Sequence, residues 1–110
     1  MVCGSFFSGV GLLDYGLSLA GIEHRWGCEF DPWQRGIWEQ RFRVPCHPDI
    51  RDFDAGWGRV DVVAGGFPCK GASTAGKRDG FDNAETVLWR NMRTAISELR
   101  PRYVLVENVA

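Results

Sequence analysis

The sequence has no surplus of charge, no long apolar run, no closely paired cysteines and few histidines. Lys plus Arg is 13 and Asp plus Glu is 14, a formal net charge of −1. A domain that grips nucleic acid unaided normally carries a basic excess, so a self-sufficient DNA-binding surface is disfavoured. No stretch approaches the roughly 18 apolar residues of a membrane span. Met1 to Val10 lacks a basic segment followed by an apolar one, so no signal peptide is expected. The cysteines, Cys3, Cys28, Cys46 and Cys69, form no C-x-x-C pair. That argues against a zinc site and a disulfide scaffold; reduced thiols, a cytoplasmic setting and no metal are expected. The two histidines, His24 and His47, fall on separate predicted strands, which disfavours a cysteine–histidine hydrolase. There is no internal repeat and no linker, and 110 residues suit one small domain.

What is present is a 45% hydrophobic chain with 14 glycines, so it is no disordered tail. Short apolar runs alternate with helical periodicity. Val2 to Phe7 reads as a strand. Leu13, Leu17 and Ala20 follow at helical spacing, with Gly21 as a stop. His24 to Phe30 reads as a second strand. Asp31-Pro32 then supplies an N-cap and a proline at the first helical position, ahead of an apolar face of Trp33, Ile37, Trp38 and Phe42. Core packing is the expectation for Trp33 and Trp38, and Trp57 is left open. Val44 to Ile50 reads as a weak edge strand broken by proline. Asp61 to Ala64 is a compact buried strand ending in Gly65-Gly66. A polar loop, Lys70 to Asn83, precedes a helix carrying Leu88, Met92, Ala95, Ile96 and Leu99. Pro101 ends that helix, and Tyr103 to Val106 is the last strand. Strands alternating with helices predict a parallel sheet with helices on both faces.

Several residues could carry chemistry. Phe7-Ser8-Gly9-Val10-Gly11 joins the first strand to the first helix, and its glycines permit a tight turn and close approach to a ligand. A dinucleotide fingerprint needs a third glycine where Asp14 stands, so NAD is disfavoured. Glu29 ends the second strand about 20 residues on, where an acidic side chain takes ribose hydroxyls. Asp49 could meet an adenine amino group. Singly each carboxylate reads as a solvated loop residue; together with the glycine loop they favour a nucleoside-containing cofactor. Gly71 to Lys77 nearly spells a phosphate-binding loop, but Arg78 replaces the required hydroxyl and no helix follows at once. Arg41, Arg43, Lys77 and Arg78 are scattered and read as solvated surface. Cys3, Cys28 and Cys46 fit small buried hydrophobes, whereas Cys69 follows proline and opens a polar loop. A parallel sheet brings Cys69 and Glu107 to one edge. A thiolate beside a carboxyl suits attack on an electron-poor ring with proton donation to a ring nitrogen.

The combination resembles the cytosine-C5 DNA methyltransferases of the bacterial and phage type. Four blocks carry the resemblance in order along the whole chain: Phe7-Ser8-Gly9-Val10-Gly11, Glu29-Phe30-Asp31, Gly65-Gly66-Phe67-Pro68-Cys69 with Ser73, Gly76 and Lys77 behind it, and Glu107-Asn108-Val109. The resemblance implies a Rossmann-like methyltransferase fold truncated after the fifth strand, S-adenosyl-L-methionine as cofactor, and double-stranded DNA as substrate. It implies that Phe7, Gly9 and Gly11 line the cofactor site, with Glu29 on the ribose and Phe30 on the adenine. Asp49 and Ile50 would flank the adenine, and Pro68 and Leu88 would complete the pocket. Cys69 would attack C6 of a cytosine turned out of the duplex, and Glu107 would engage its N3 edge. Ser73 and Asn108 would support the catalytic loop.

This sequence departs from the family pattern at Leu12, usually a third glycine, at Lys70 and Ala72 behind the cysteine, and at Glu85, near a usual arginine. Residues 1–110 would form the N-terminal part of the catalytic domain. The paired-arginine motif, the target-recognition domain and the last cofactor motif would lie beyond it, on a longer frame or on a second polypeptide. The setting implied is restriction-modification in a bacterial or phage-infected cell. The alternatives are a catalytically inactive remnant that binds S-adenosylmethionine, and a transfer-RNA cytosine-C5 methyltransferase.

Overall fold

The structure, a computed structural model, is described for residues 1–66 and 84–107. Its elements run β1 (Val2–Phe6), α1 (Leu12–Leu19), β2 (Glu23–Cys28), α2 (Pro32–Phe42) and β3 (Cys46–His47). Two 3₁₀ turns follow, Ile50–Asp52 and Ala55–Trp57, then β4 (Val62–Gly66), α3 (Ala84–Leu99) and β5 (Tyr103–Glu107). The strands form one sheet in the order β3-β2-β1-β4-β5, and every pairing is parallel. Parallel neighbours need crossover connections, and helices supply them between β1 and β2, between β2 and β3, and between β4 and β5. Strand order reverses at β1: β2 and β3 lie to one side, β4 and β5 to the other. In open α/β sheets ligands bind in the crevice beyond the carboxyl ends at that reversal. Here that crevice lies past Phe6 of β1 and Gly66 of β4.

Both faces of the sheet are covered by helices around β1, β2 and β4, as expected, while β5 stays exposed. On one, Phe6, Trp26, Cys28 and Val63 pack with Met92, Ala95 and Leu99 of α3, whose spacing places them on one helical stripe. On the other, Cys3, Val62 and Ala64 pack with Leu13 and Leu17 of α1 and with Ile22. Strand β2 serves both faces through a register shift. Cys3 pairs with His24 and Gly4 with Trp26, so Arg25 is an extra residue. A bulge reverses the side on which later residues point. His24 therefore meets Asp14 and Trp38, while Trp26 joins the α3 side against Phe6.

The helix boundaries have local causes. The Asp31 carboxylate accepts the Gln34 N–H at 2.8 Å, and Pro32 occupies the first turn of α2, as the sequence predicts. Gly21, at φ 88°, lets the chain leave α1. Gly16 in α1 and Gly36 in α2 have nothing within 4 Å of an added Cβ. Each is an uncompensated loss of helix propensity. Gly16→Ala and Gly36→Ala should each raise stability by about 0.5–1 kcal/mol, read from the urea unfolding midpoint.

Three expectations are corrected. The weak strand over residues 44–50 shrinks to Cys46–His47, because Pro48 removes a donor and the Asp49 carboxylate caps a 3₁₀ turn instead. Trp33 is 71% exposed, whereas Trp38 is fully buried. The two lie five residues apart, which turns them to different sides of α2. Glu29 and Phe30 sit just beyond β2, which ends at Cys28, rather than within it. Trp57 belongs to the α3-side core and stacks on His47 at 3.7 Å.

Candidate active site

The glycine loop follows directly from β1. Phe7, Gly9 and Gly11 all have positive φ, at 51°, 57° and 95°. Gly11 is the N-cap of α1, and its carbonyl accepts the Tyr15 N–H at 2.7 Å. An added Cβ there would lie 2.5 Å from Phe42 Cε2 and 3.0 Å from Trp38 Cδ1. The position therefore admits only glycine on two grounds, backbone conformation and space.

Glu29 ties this loop to α2. Its Oε1 accepts the Gly9 N–H at 2.7 Å, and its Oε2 accepts the Asp31 N–H at 2.9 Å. A carboxylate offers about four acceptor sites, so Glu29 keeps capacity for further donors such as hydroxyls. Phe30, 68% exposed, stands beside it as an exposed aromatic ring. Asp49 accepts both the Arg51 N–H and the Arg51 guanidinium, at 2.7–3.1 Å. Those hydrogen bonds hold its carboxyl below the usual range, against a smaller opposing effect of burial. The Arg51 guanidinium also lies 5.8 Å from the Phe30 ring centre.

These groups surround a cleft of about 710 Å³ lined by Phe7, Gly9, Glu29, Phe30, Asp49, Ile50 and Leu88, with Gln34, Pro48 and Arg51. Volumes of 300–1,000 Å³ hold drug-sized ligands. A second hollow of about 210 Å³ adjoins it, lined by Ser5 to Asp14, Gly66 and Glu107. Phe7, Gly9 and Gly66 belong to both. Gly66 pairs with Glu107 across β4 and β5, and the Glu107 carboxylate lies where a Cβ on Gly66 would reach within 2.7 Å of Oε2.

The structure thus gathers Phe7, Gly9, Glu29, Phe30, Asp49, Ile50 and Leu88 on one cleft and puts Gly11 and Glu107 on the adjoining hollow. Pro68, Cys69, Ser73 and Asn108 lie outside the described residues, as do Lys77 and Arg78. Sequence reasoning passed over Arg51 and Gln34. Arg51 was detectable as the residue two after an aspartate, where Asx turns form; nothing in the sequence points to Gln34. Among the described residues no group of His, Cys, Asp or Glu could hold a metal ion.

Three thiols are buried as expected. Burial foremost, with nearby carboxylates, pushes Cys3 and Cys46 from 9.0 up to about 12 and raises Cys28 further. A raised folded-state value means that the thiol form is favoured by folding. That stabilisation is whole below pH 9 and is lost as pH rises toward 12. The urea midpoint should accordingly fall steeply above pH 9. At neutral pH these thiols are protonated and inaccessible, so native alkylation with iodoacetamide should spare all three, checked by peptide mass.

A parallel sheet reversing over a glycine loop, with carboxylates on the rim of a cleft at the reversal, defines a Rossmann-like α/β domain. A family model for C-5 cytosine-specific DNA methylases matches residues 1–110, and the chain belongs to that family. Its relatives include the type II methyltransferase M2.BsuMI of Bacillus subtilis, 33% identical over 96% of this chain and 28% of that protein. The type II methyltransferase M.HhaI of Haemophilus parahaemolyticus is 28% identical over 94% of this chain and 32% of its own length. A prophage-encoded E. coli protein assigned as a DNA modification methyltransferase superposes at a TM-score of 0.82, with 25% identity, covering 99% of this chain and 32% of that one. The Dnmt2 methyltransferase of S. pombe shares the fold at a TM-score of 0.76 and 19% identity. The chain spans about a third of the length of the relatives it matches.

Proposed function

We propose that this chain is the cofactor-binding and nucleophile-bearing N-terminal part of a DNA (cytosine-5)-methyltransferase acting in the cytoplasm. The observation that carries the reading is the shared sheet edge: the cleft and the Glu107 hollow meet at Phe7, Gly9 and Gly66. The cleft suits S-adenosyl-L-methionine. Glu29 has spare acceptor sites for ribose hydroxyls, Phe30 presents an exposed ring to adenine, and Asp49, held ionised by Arg51, would exchange part of that pairing for the adenine amino group. Ile50 and Leu88 close the apolar side, and Pro68 completes the pocket in this reading. Bound there, the cofactor supplies an electrophilic methyl group.

The chain's own residues would prepare cytosine. Its C5 is a weak nucleophile, and it gains electron density when a thiolate adds to C6 and N3 takes a proton. Cys69 follows Gly66 by three residues, so covalent geometry keeps its Cα within about 11 Å of the Gly66 Cα. Cys69 would add to C6 and Glu107 would hold and supply the proton at N3. Loss of the C5 proton and expulsion of Cys69 would then restore the ring. Ser73 and Asn108 support the loop in this reading.

Strand β5 supports a further part of the catalytic domain. Tyr103, Val104, Leu105 and Val106 are exposed, although successive residues point to opposite faces. Parallel sheets are buried on both faces. We therefore assign the covering layer to the remainder of the domain, supplied by a longer frame or by a second polypeptide that also reads DNA. The family match and the relatives' names support DNA over transfer RNA as substrate.

The test is covalent trapping. The chain, alone and mixed with a polypeptide carrying the rest of the domain, is incubated with S-adenosylmethionine and a duplex containing 5-fluorocytosine. The expected result is an adduct in the mixture that maps to Cys69. A mixture that binds the duplex and the cofactor yet traps nothing would leave the remnant reading.

A further inference from the structure

Behind the glycine loop lies a buried carboxylate that the proposed chemistry does not use. Asp14, in the first turn of α1, is 1% exposed. Its Oδ2 accepts the Ser5 hydroxyl at 2.8 Å and the Trp38 indole N–H at 2.8 Å. Its Oδ1 lies 3.1 Å from His24 Nε2, and the other ring nitrogen, His24 Nδ1, is buried with no hydrogen-bond partner. One side chain thereby joins β1, β2, α1 and α2. Desolvating a carboxylate is costly, and an apolar side chain of similar size is commonly as good for stability. The network is better explained by what it orients.

The orientation runs through two hydroxyls. Ser5 gives its only hydroxyl proton to Asp14, so toward Ser8 its Oγ can only accept. Ser8 Oγ stands 2.9 Å from it. With its proton directed at Ser5 Oγ, at the Ser5 carbonyl 3.1 Å away or at the Cys28 carbonyl 3.3 Å away, Ser8 turns a lone pair to the Cys28 N–H at 3.1 Å. The Ser8 N–H in turn donates to the Cys28 carbonyl at 3.1 Å. Cys28 is the residue before Glu29, and Glu29 accepts from Gly9, the residue after Ser8. A ring thus closes from Ser8 through Cys28 and Glu29 back to Gly9, and the Asp14–Ser5 pair sets its polarity.

We infer that Asp14 is a positioning residue for the cofactor site, fixing the glycine loop and the Glu29 carboxylate through Ser5 and Ser8 without touching the cofactor. The role rests on the proposed cofactor reading, but its mechanical part stands on hydrogen bonds within this chain.

The experiment follows amide exchange and S-adenosylmethionine binding in the full chain and in Asp14→Ala, Ser5→Ala and Trp38→Phe. Exchange at Gly9 and Cys28 is read relative to Val63 and Ala64 in β4, which report opening of the whole sheet. Ser5→Ala and Asp14→Ala should speed Gly9 and Cys28 relative to β4, and weaken cofactor binding, each by about ten-fold. Trp38→Phe removes a donor from Asp14 but leaves the path to Ser8, so it should speed all four amides together. The inference is overturned if Ser5→Ala leaves the Gly9 and Cys28 ratios unchanged, or if all variants act uniformly. Should Asp14→Ala fail to fold, Ser5→Ala decides. A wild-type chain that binds no cofactor would sink the cofactor reading, while the exchange ratios would still judge the positioning role.

Discussion

Glu107→Gln is expected to slow methyl transfer by about 10²- to 10⁴-fold, the span of a positioned general acid. The substitution keeps the shape and one acceptor oxygen of the side chain but removes the acidic proton that the proposed mechanism delivers to cytosine N3. Because the cleft proposed for the cofactor is lined by other residues, cofactor affinity should stay within about two-fold, so the loss falls on kcat. Single-turnover transfer of labelled methyl groups by the completed enzyme makes the measurement, with cofactor titration beside it. Gly66→Ala should mimic part of the loss, since its Cβ would meet Glu107 Oε2 at 2.7 Å and push the carboxylate off its place. A Glu107→Gln enzyme with wild-type turnover would remove Glu107 from the chemistry. An equal fall in cofactor affinity would instead mean that Glu107 supports the cleft.

The sheet was legible in the sequence because its strands read as short apolar runs between glycine and helix signals. The α2 start was legible for a stronger reason: Asp31-Pro32 satisfies two independent requirements of a helix N-terminus. The third strand was misread because apolar Val44 and Ile50 suggested more pairing than Pro48 and the Asp49 turn allow. The bulge at Arg25 was invisible, since extra residues announce themselves only through a partner strand. The sequence shows an aspartate among the leucines of α1, a local conflict with an apolar face. It does not show that Ser5, Trp38 and His24 converge on it, because those residues come from three other elements. At the cleft the rim carboxylates were legible by their place after strand ends. Arg51 was legible only as the second residue after Asp49 in a possible Asx turn; the pairing of its guanidinium with that carboxylate depends on the turn geometry between them.

Gly11→Ala should destabilise the fold far more than Gly9→Ala, although both replace a glycine of the same loop at positive φ. At Gly11 two penalties combine. A non-glycine residue at φ 95° and ψ 29° is strained by roughly 1–3 kcal/mol. Its Cβ would also press on Phe42 and Trp38, rings that pack on each other at 4.6 Å between centres. Trp38 is fully buried and anchored to Asp14, so it cannot give way without breaking that bond. Overpacking of this kind adds about 1–3 kcal/mol. The combined loss, roughly 2–6 kcal/mol, is a large part of the 5–15 kcal/mol that holds a typical domain together. At Gly9 the nearest neighbour is the flexible end of Gln34, 3.4 Å away, and φ of 57° lies in the ordinary left-handed region. That substitution should cost only about 1–2 kcal/mol. Urea unfolding of the two variants side by side makes the comparison. Equal midpoints would show that the aromatic wall yields, and that backbone conformation alone reserves Gly11 for glycine.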